Sequence, residues 1–314
     1  MAGQLWSTDA LGGYMYSDEL SDILRTALQP MNRFRQFCDI KEGKNENKGD
    51  KLYWNVYSNV QAKGGKLTEG NDMPETNYTI RQESMTVDEY GNSIPYTKKL
   101  DELSKHGVIE VIHMVLKNDA RDVLEEAAYD EFAKTKLTVT PAGAGGDSLT
   151  DIVVEETGVP TATNDAALTK AHVKAIADEM KERNITPYDG EHYAATGRPA
   201  TFRPFKDELE EMHKYVDEGF QRILNGEIGR YEGIRFTEHT SIASKAWANG
   251  ASDEAFFFGA DTVAEGIVIP EEIRGKIPTN YGLSKGVAWY YLGGFGICHT
   301  APEHSRILRW ASAG

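Results

Sequence analysis

Leu20, Ile23, Leu24, Ala27 and Leu28 recur at the spacing of one helical face. Ser17 ahead of Asp18 and Glu19 suits a helix start, and Pro30 stops the run, so the spacing predicts a short helix just before residue 30. So short a helix cannot bury its own stripe; it has to lie on the body of the molecule or on another chain.

From Gly49 to about Pro95 the period changes. Lys51 to Val60 and Tyr78 to Val87 are rich in aromatic and β-branched residues and predict two strands. Between them Ala62 to Pro74 is dense in turn formers, so the pair reads as one long hairpin with a glycine-rich tip. Its side chains are mostly Tyr, Trp, Asn, Gln, Glu, Ser and Thr. A two-stranded hairpin is marginal alone in water, so this arm is expected to rest on its own domain or on a neighbour.

A long helix is predicted over 101–135. Val108, Ile112, Val115, Val123, Ala127 and Phe132 keep the stripe, with Val111, Leu116 and Leu124 widening it. Asp101, Glu102, Asp119, Asp122, Glu125, Glu126 and Asp130 fill the remaining, outward positions. Gly107 is a weak point that separates a first turn from the rest. The loop at 141–148 marks a domain boundary. Helices follow at Asp165–Arg183 and Pro204–Leu224, with strands around His192–Thr196, Ile234–Glu238, Ala255–Phe258 and Val287–Leu292. The fold class is mixed α+β.

Composition narrows the functions. Lys and Arg number 34 against 49 Asp and Glu, a net charge of −15 over 314 residues, which argues against a general nucleic-acid binder. Cys38 and Cys298 are too few for a disulfide scaffold, and no Cys-x-x-Cys pair offers a zinc site. No stretch is long and apolar enough for a bilayer span, no secretory signal is visible, and the chain reads as soluble.

Three patterns resemble enzyme chemistry. Gly282-Leu-Ser-Lys-Gly286 matches a nucleophile elbow, yet a strand-like segment follows it where a helix is needed, so a turn is the better account. Glu110-x-x-His113 and Glu210-x-x-His213 have di-iron spacing, but so much Gly- and Tyr-rich β sequence leaves no place for a four-helix bundle. Gly64-Gly-Lys66 and Gly294-Phe-Gly296 are incomplete phosphate loops. No cofactor, metal or catalytic residue is therefore assigned. The lysines at 41, 44, 48, 51, 63 and 66 read equally as a solvated edge and as a contact for an acidic neighbour.

Taken in order, Tyr16-Ser-Asp-Glu-Leu20, Gly49-Asp-Lys-Leu52, Gly65-Lys-Leu-Thr-Glu-Gly70, Tyr90-Gly-Asn-Ser-Ile-Pro-Tyr96 and Asn225-Gly-Glu-Ile-Gly-Arg-Tyr-Glu-Gly-Ile234 form a collinear set. In these the chain resembles the tailed-bacteriophage major capsid proteins with the Hong Kong ninety-seven fold, most of all the family named after coliphage N-four. The resemblance implies an N-terminal arm (1–49), an extended hairpin loop (50–98), a peripheral domain with a spine helix (99–149), an axial α+β domain (150–280) and a return strand (281–314). It implies self-assembly into pentamers and hexamers of an icosahedral shell around double-stranded DNA held without sequence recognition.

Contacts between subunits are expected at Leu20, Ile23, Leu24, Trp54, Tyr57, Lys63, Lys66 and Tyr78. Further implied partners are a separate scaffolding protein, a portal and a decoration protein, with no membrane; no covalent cross-link between subunits is assigned. The alternatives are a metal-dependent or hydrolytic enzyme and another virion component such as a decoration protein.

Overall fold

The computed structural model describes residues 33–41, 49–58, 60, 64–67, 69, 72–142, 149–160, 166–213, 229–240, 242, 245–247 and 250–312. The predicted tail helix with Leu20, Ile23 and Leu24, Lys63 at the hairpin tip, and the predicted helix end at Asn225 lie outside these residues.

After a 3-10 turn at Arg35–Phe37, the described chain runs through β1 (Asp39–Lys41), β2 (Lys51–Tyr57), β3 (Ile80–Thr86), β4 (Asp88–Thr97), α1 (Lys98–Leu103) and α2 (Val108–Ala133). Then come β5 (Leu137–Pro141), β6 (Ile152–Glu155), α3 (Lys170–Glu182), β7 (Tyr193–Gly197), α4 (Pro199–His213), β8 (Arg230–Tyr231) and β9 (Ile234–Glu238). The last strands are β10 (Lys245–Trp247), β11 (Gly250–Phe258), β12 (Val263–Gly275), β13 (Ser284–Ile297) and β14 (Ile307–Ser312).

Among the described residues these strands form three sheets. One is ordered β1-β12-β13-β4, and a second β6-β5-β14-β11-β7-β9-β8 with β10 beside β11. The third is the β2–β3 hairpin alone, paired antiparallel from Lys51↔Thr86 to Tyr57↔Ile80. Asp88–Thr97 does not prolong that hairpin. It turns into the four-stranded sheet and pairs with β13 along its whole length.

The run Ala255-Phe-Phe-Phe258 shows how the layers stack. Phe256 and Phe258 point to one face of the eight-stranded sheet, where α2 lies, and Phe257 points to the other, where α3 and α4 lie. A strand covered on both faces is apolar at every position, which is why this run lacks alternation. On the second face Val173, Ile176 and Met180 of α3 meet Phe202 and Phe205 of α4. Thr169 caps α3 in a reciprocal box with His172.

Gly107 does divide the predicted spine: α1 ends at Leu103, and α2 runs 26 residues, about 39 Å. The buried row of α2 differs from the predicted stripe. It is Val108, Ile112, Leu116, Ala120, Leu124, Ala128 and Phe132, one residue in four, while Val115 is 49% exposed. A fourfold period overshoots the helix turn, so the row winds round the axis. The early half of α2 therefore faces the four-stranded sheet, where Trp289 Nε1 donates to Asp119 at 2.7 Å. The late half faces the eight-stranded sheet, where Phe132 packs on Phe34, Phe256 and Phe258. Glu125, expected on the outer side, falls inside this winding path and is buried. The helix predicted from Pro204 starts earlier, with Pro199 in its first turn and Pro204 inside it.

Candidate assembly surface

The β2–β3 arm has two unlike faces. Opposed residues of an antiparallel pair share a face. Leu52 with Met85, Trp54 with Glu83 and Val56 with Arg81 thus form one side, and Tyr53 with Ser84, Asn55 with Gln82 and Tyr57 with Ile80 the other. The first side lies on the body. Trp54 Nε1 donates to Cys298 O at 3.1 Å, Thr300 Oγ1 donates to Glu83 at 2.6 Å, and Arg81 pairs with Glu303 at 3.0 Å.

Glycines make this seat possible. A Cβ on Gly294 would stand 2.1 Å from Thr86 O, and one on Gly296 would stand 2.5 Å from the Met85 Cβ. The segment that resembles a broken phosphate loop is the platform on which the arm's base lies.

The second side faces solvent. Tyr57 is 77% and Tyr78 63% exposed, with Tyr53, Val60, Leu67, Met73 and Ile80 also exposed. Lys66 is exposed near the tip. Both long edges of the arm lie open among the described residues, since β2 and β3 pair only with each other. Of the expected contact residues the structure thus brings Tyr57, Tyr78 and Lys66 to the free part of the arm. It places Trp54 against the arm's own body.

Beside the arm, the outer side of α2 is acidic: Glu126, Asp130 and Glu131 line a groove of about 500 Å³ with Asp88 and Tyr90 of β4, Phe295 and Lys134. At the opposite end of the four-stranded sheet, Ile277 and Tyr281 stand exposed in the β12–β13 turn.

The chain enters the body through one buried carboxylate. Glu125 accepts from the backbone N–H groups of Arg33 at 2.5 Å, Phe34 and Arg35 at 3.1 Å, and from His239 Nε2 at 2.8 Å. Burial pushes the Glu125 carboxyl up, but the bond from His239 and the three N–H groups outweigh it and leave it below the ordinary carboxylate range. Arg35 adds a second lock, pairing with Glu265 at 2.7 Å and with Glu271. Tyr291 Oη donates to the same Glu265 at 2.9 Å, and its phenol is pushed up by burial and by that carboxylate. Burial raises the Cys38 thiol as well, which removes it as a ready nucleophile.

The enzyme-like motifs disperse. Asn280, Tyr281 and Gly282 take positive φ in a tight turn, and Ser284 Oγ accepts from Lys276 Nζ at 3.2 Å as β13 begins. Glu303 is engaged by Arg81. Glu110 and His113 sit on the rim of a surface groove, and Glu210 and His213 have no described side chains. Among the described residues, no three His, Cys, Asp or Glu side chains are grouped to hold a metal, and no helix is long and apolar enough to cross a membrane.

No protein-family model matches the chain, and no curated protein matches it in sequence. Solved structures do. The capsid of cyanophage Pam1 is 14% identical with a TM-score of 0.71, over 95% of this chain and 97% of that one. The head of Helicobacter pylori bacteriophage KHP40 is 11% identical with a TM-score of 0.65, over 96% of each chain. The capsid of Ralstonia phage GP4 is 13% identical with a TM-score of 0.64, over 94% of each.

This chain has the Hong Kong ninety-seven capsid fold. Coverage that runs the length of both partners means the capsid fold accounts for the arm, the spine and the mixed sheet together. At such low identity the shared property is architecture. Side chains such as Glu125, and the seat on Gly294 and Gly296, must be understood from this chain's own geometry.

Proposed function

We propose that this chain is a major capsid protein, assembling into pentamers and hexamers of an icosahedral shell that encloses double-stranded DNA in a virion. The observation that carries the reading is the arm: an open-edged hairpin, anchored at its base, whose outer face exposes Tyr53, Tyr57, Tyr78 and Ile80. An exposed apolar face with unpaired edges marks an interaction site. Head-to-tail contacts through such a limb close into rings, and one chain serves five- and six-fold rings if the limb adjusts.

In this reading 50–98 carries the extended loop, 99–149 and 281–314 the peripheral domain, and 150–280 the axial domain. Tyr57, Tyr78 and Lys66 contact the next subunit, with Lys66 suited to an acidic helix such as the outer side of α2. The net charge of −15 suits a lining that holds DNA without gripping it. A separate scaffolding protein and a portal complete the partners, with a decoration protein as an outer addition. The protein acts by assembly, without catalysis.

Electron microscopy of the purified protein, alone and co-expressed with a candidate scaffolding protein, tests the reading. Closed shells or capsomer rings are expected. Only dispersed monomers under both conditions would overturn it.

A further inference from the structure

The strand β12 has two unlike halves. Its first residues are flanked on both sides, by β13 and, over Asp39–Lys41, by the parallel β1. Beyond the pairing Lys41↔Gly266, β13 is its only strand neighbour among the described residues. Exposure rises along the same path, and every residue from Pro270 to Gly275 is exposed.

Between the halves the register slips twice. Ile267↔Gly293 is followed by Ile269↔Leu292 and then by Glu272↔Tyr290, so β12 carries two more residues than β13 over this stretch. Such bulges bend a strand and sharpen its twist. Pro270, with no N–H to give to a ladder, sits inside the irregular stretch. The helix gives the bent half little support, because a groove of about 590 Å³ lies between them, with Glu271 and Ile273 on one wall and Met114 and Lys117 on the other. Arg274, paired with Glu272 and stacked at 3.7 Å on Tyr290, ties the outer half to β13 alone.

Arg35 spans the bend. Its Nε and Nη2 donate to Glu265 at 3.0 and 2.7 Å, ahead of the slips, and its Nη1 donates to Glu271, inside them. Glu265 is buried and also accepts from Tyr291 Oη, so that end of the fork is fixed. Glu271 lies at the surface on the half that lacks other support. A planar guanidinium holds two carboxylates at a set angle, which a flexible ammonium would not.

The chain entry sets Arg35 in turn. Its own backbone N–H is held by Glu125, together with those of Arg33 and Phe34. Glu125 itself makes no hydrogen bond to β12 among the described residues. Loosening residues 33–35 from Glu125 therefore reaches Glu271 only by way of Arg35.

We propose that Arg35 clamps the bend of β12, so that the seating of residues 33–35 on Glu125 sets the position of the outer half of β12 and of the turn that exposes Ile277 and Tyr281. Arg35 is a positioning residue in this device. The coupling belongs to a single subunit and does not depend on the capsid reading.

Hydrogen exchange of the dilute full-length protein, read by mass on peptides covering 271–277, tests the clamp. Glu271→Ala cuts the exposed end of the fork and strands no buried charge. It should speed exchange over 271–277 several-fold and leave β5 and β14 at their original rates. Glu125→Gln, which withdraws one acceptor from the chain entry, should speed the same peptides, and should add nothing once Glu271→Ala is present. Unchanged exchange over 271–277 in Glu271→Ala, or an equal rise in β5 and β14, would overturn the clamp. A Glu125→Gln effect on 271–277 that is absent, or that persists in full beside Glu271→Ala, would overturn the coupling to the chain entry.

Discussion

Glu125 and His239 meet at 2.8 Å with both side chains buried, and the same carboxylate gathers the N–H groups of residues 33–35. One side chain on the spine thus fixes where the N-terminal segment enters the body. Phe34 packs on Tyr129, Phe132, His239 and Phe256 around it. Losing Glu125 would strand four donors in an apolar surround. Glu125→Ala is expected to cost about 3–5 kcal/mol in urea unfolding of the dilute subunit, and Glu125→Gln, which keeps one acceptor, about 1–3 kcal/mol.

The same carboxylate sets a direction for pH. Its folded value lies below its ordinary 4.5, so the unfolded chain takes up the proton first as the solution is acidified. The stability it gives is complete above that ordinary value and drains away as pH falls through the folded one. Melting temperature should therefore drop more steeply between roughly pH 5 and pH 3 in the unaltered protein than in Glu125→Gln. Parallel curves for the two proteins would rule this out.

Gly294 offers a cleaner lesion of the arm. Its missing side chain is what lets Thr86 O approach, and backbone on both sides leaves no flexible group to yield. Gly294→Ala is expected to cost about 1–3 kcal/mol by overpacking and to lift the arm's base. Lifting it frees Trp54 from Cys298, which a red shift of tryptophan emission and faster proteolysis between β2 and β3 would report. Gly275→Ala, where a Cβ meets nothing within 4 Å, is the control.

How much was legible beforehand varies with the range of the cause. Ile234–Glu238 and the hairpin strands were readable because β-branched and aromatic residues advertise a pleated surface locally. The division at Gly107 was readable for the same local reason. Gly294 and Gly296 were rightly set aside as a phosphate loop, but their purpose, the passage of Thr86 and Met85 overhead, was not legible, because its cause lies about two hundred residues away in the chain. Glu125 was placed outside because a charged residue in a helix is usually solvated. Only the one-in-four row from Val108 to Phe132, which winds towards it, signals otherwise. The exposure of Tyr57, Tyr78 and Lys66 was readable from an aromatic, lysine-bearing hairpin. The engagement of Trp54 by Cys298 was not, since nothing near Trp54 in sequence reveals it.

Arg309 ties the end of the spine to the last strand. Its guanidinium donates to Ala133 O at 3.1 Å, Thr138 Oγ1 at 3.3 Å and Gly158 O, and stands 4.0 Å from Glu254, which also accepts from Tyr129 at 2.7 Å. Burial pulls the Arg309 value down from its ordinary one, although Glu254 and Tyr129 act the other way. Arg309→Met should cost about 3–5 kcal/mol, because a buried carboxylate then loses its cation. With Glu254→Gln already present, the same change should cost about 1–3 kcal/mol less. A double-mutant cycle by urea unfolding reads the difference, and strict additivity would show that Arg309 acts only through the carbonyls.

The outer face of the arm should separate folding from assembly. Tyr57 and Ile80 are opposed on that face and mostly exposed, so replacing them removes little buried surface from the subunit. Tyr57→Ser with Ile80→Ser is expected to leave unfolding midpoints nearly unchanged, within about 0.5 kcal/mol per site. If the face is buried against the next subunit, the same pair should abolish capsomers in sedimentation velocity, since each side chain forfeits roughly 1.5–3 kcal/mol of burial at every contact round a ring. Leu52→Ser, on the side that rests on the body, should do the reverse: it weakens the arm's seat before it reaches any partner. Should Tyr57→Ser with Ile80→Ser assemble as readily as the unaltered protein, the arm's apolar face would need another purpose, and the limb would have to join its neighbour through backbone edges alone.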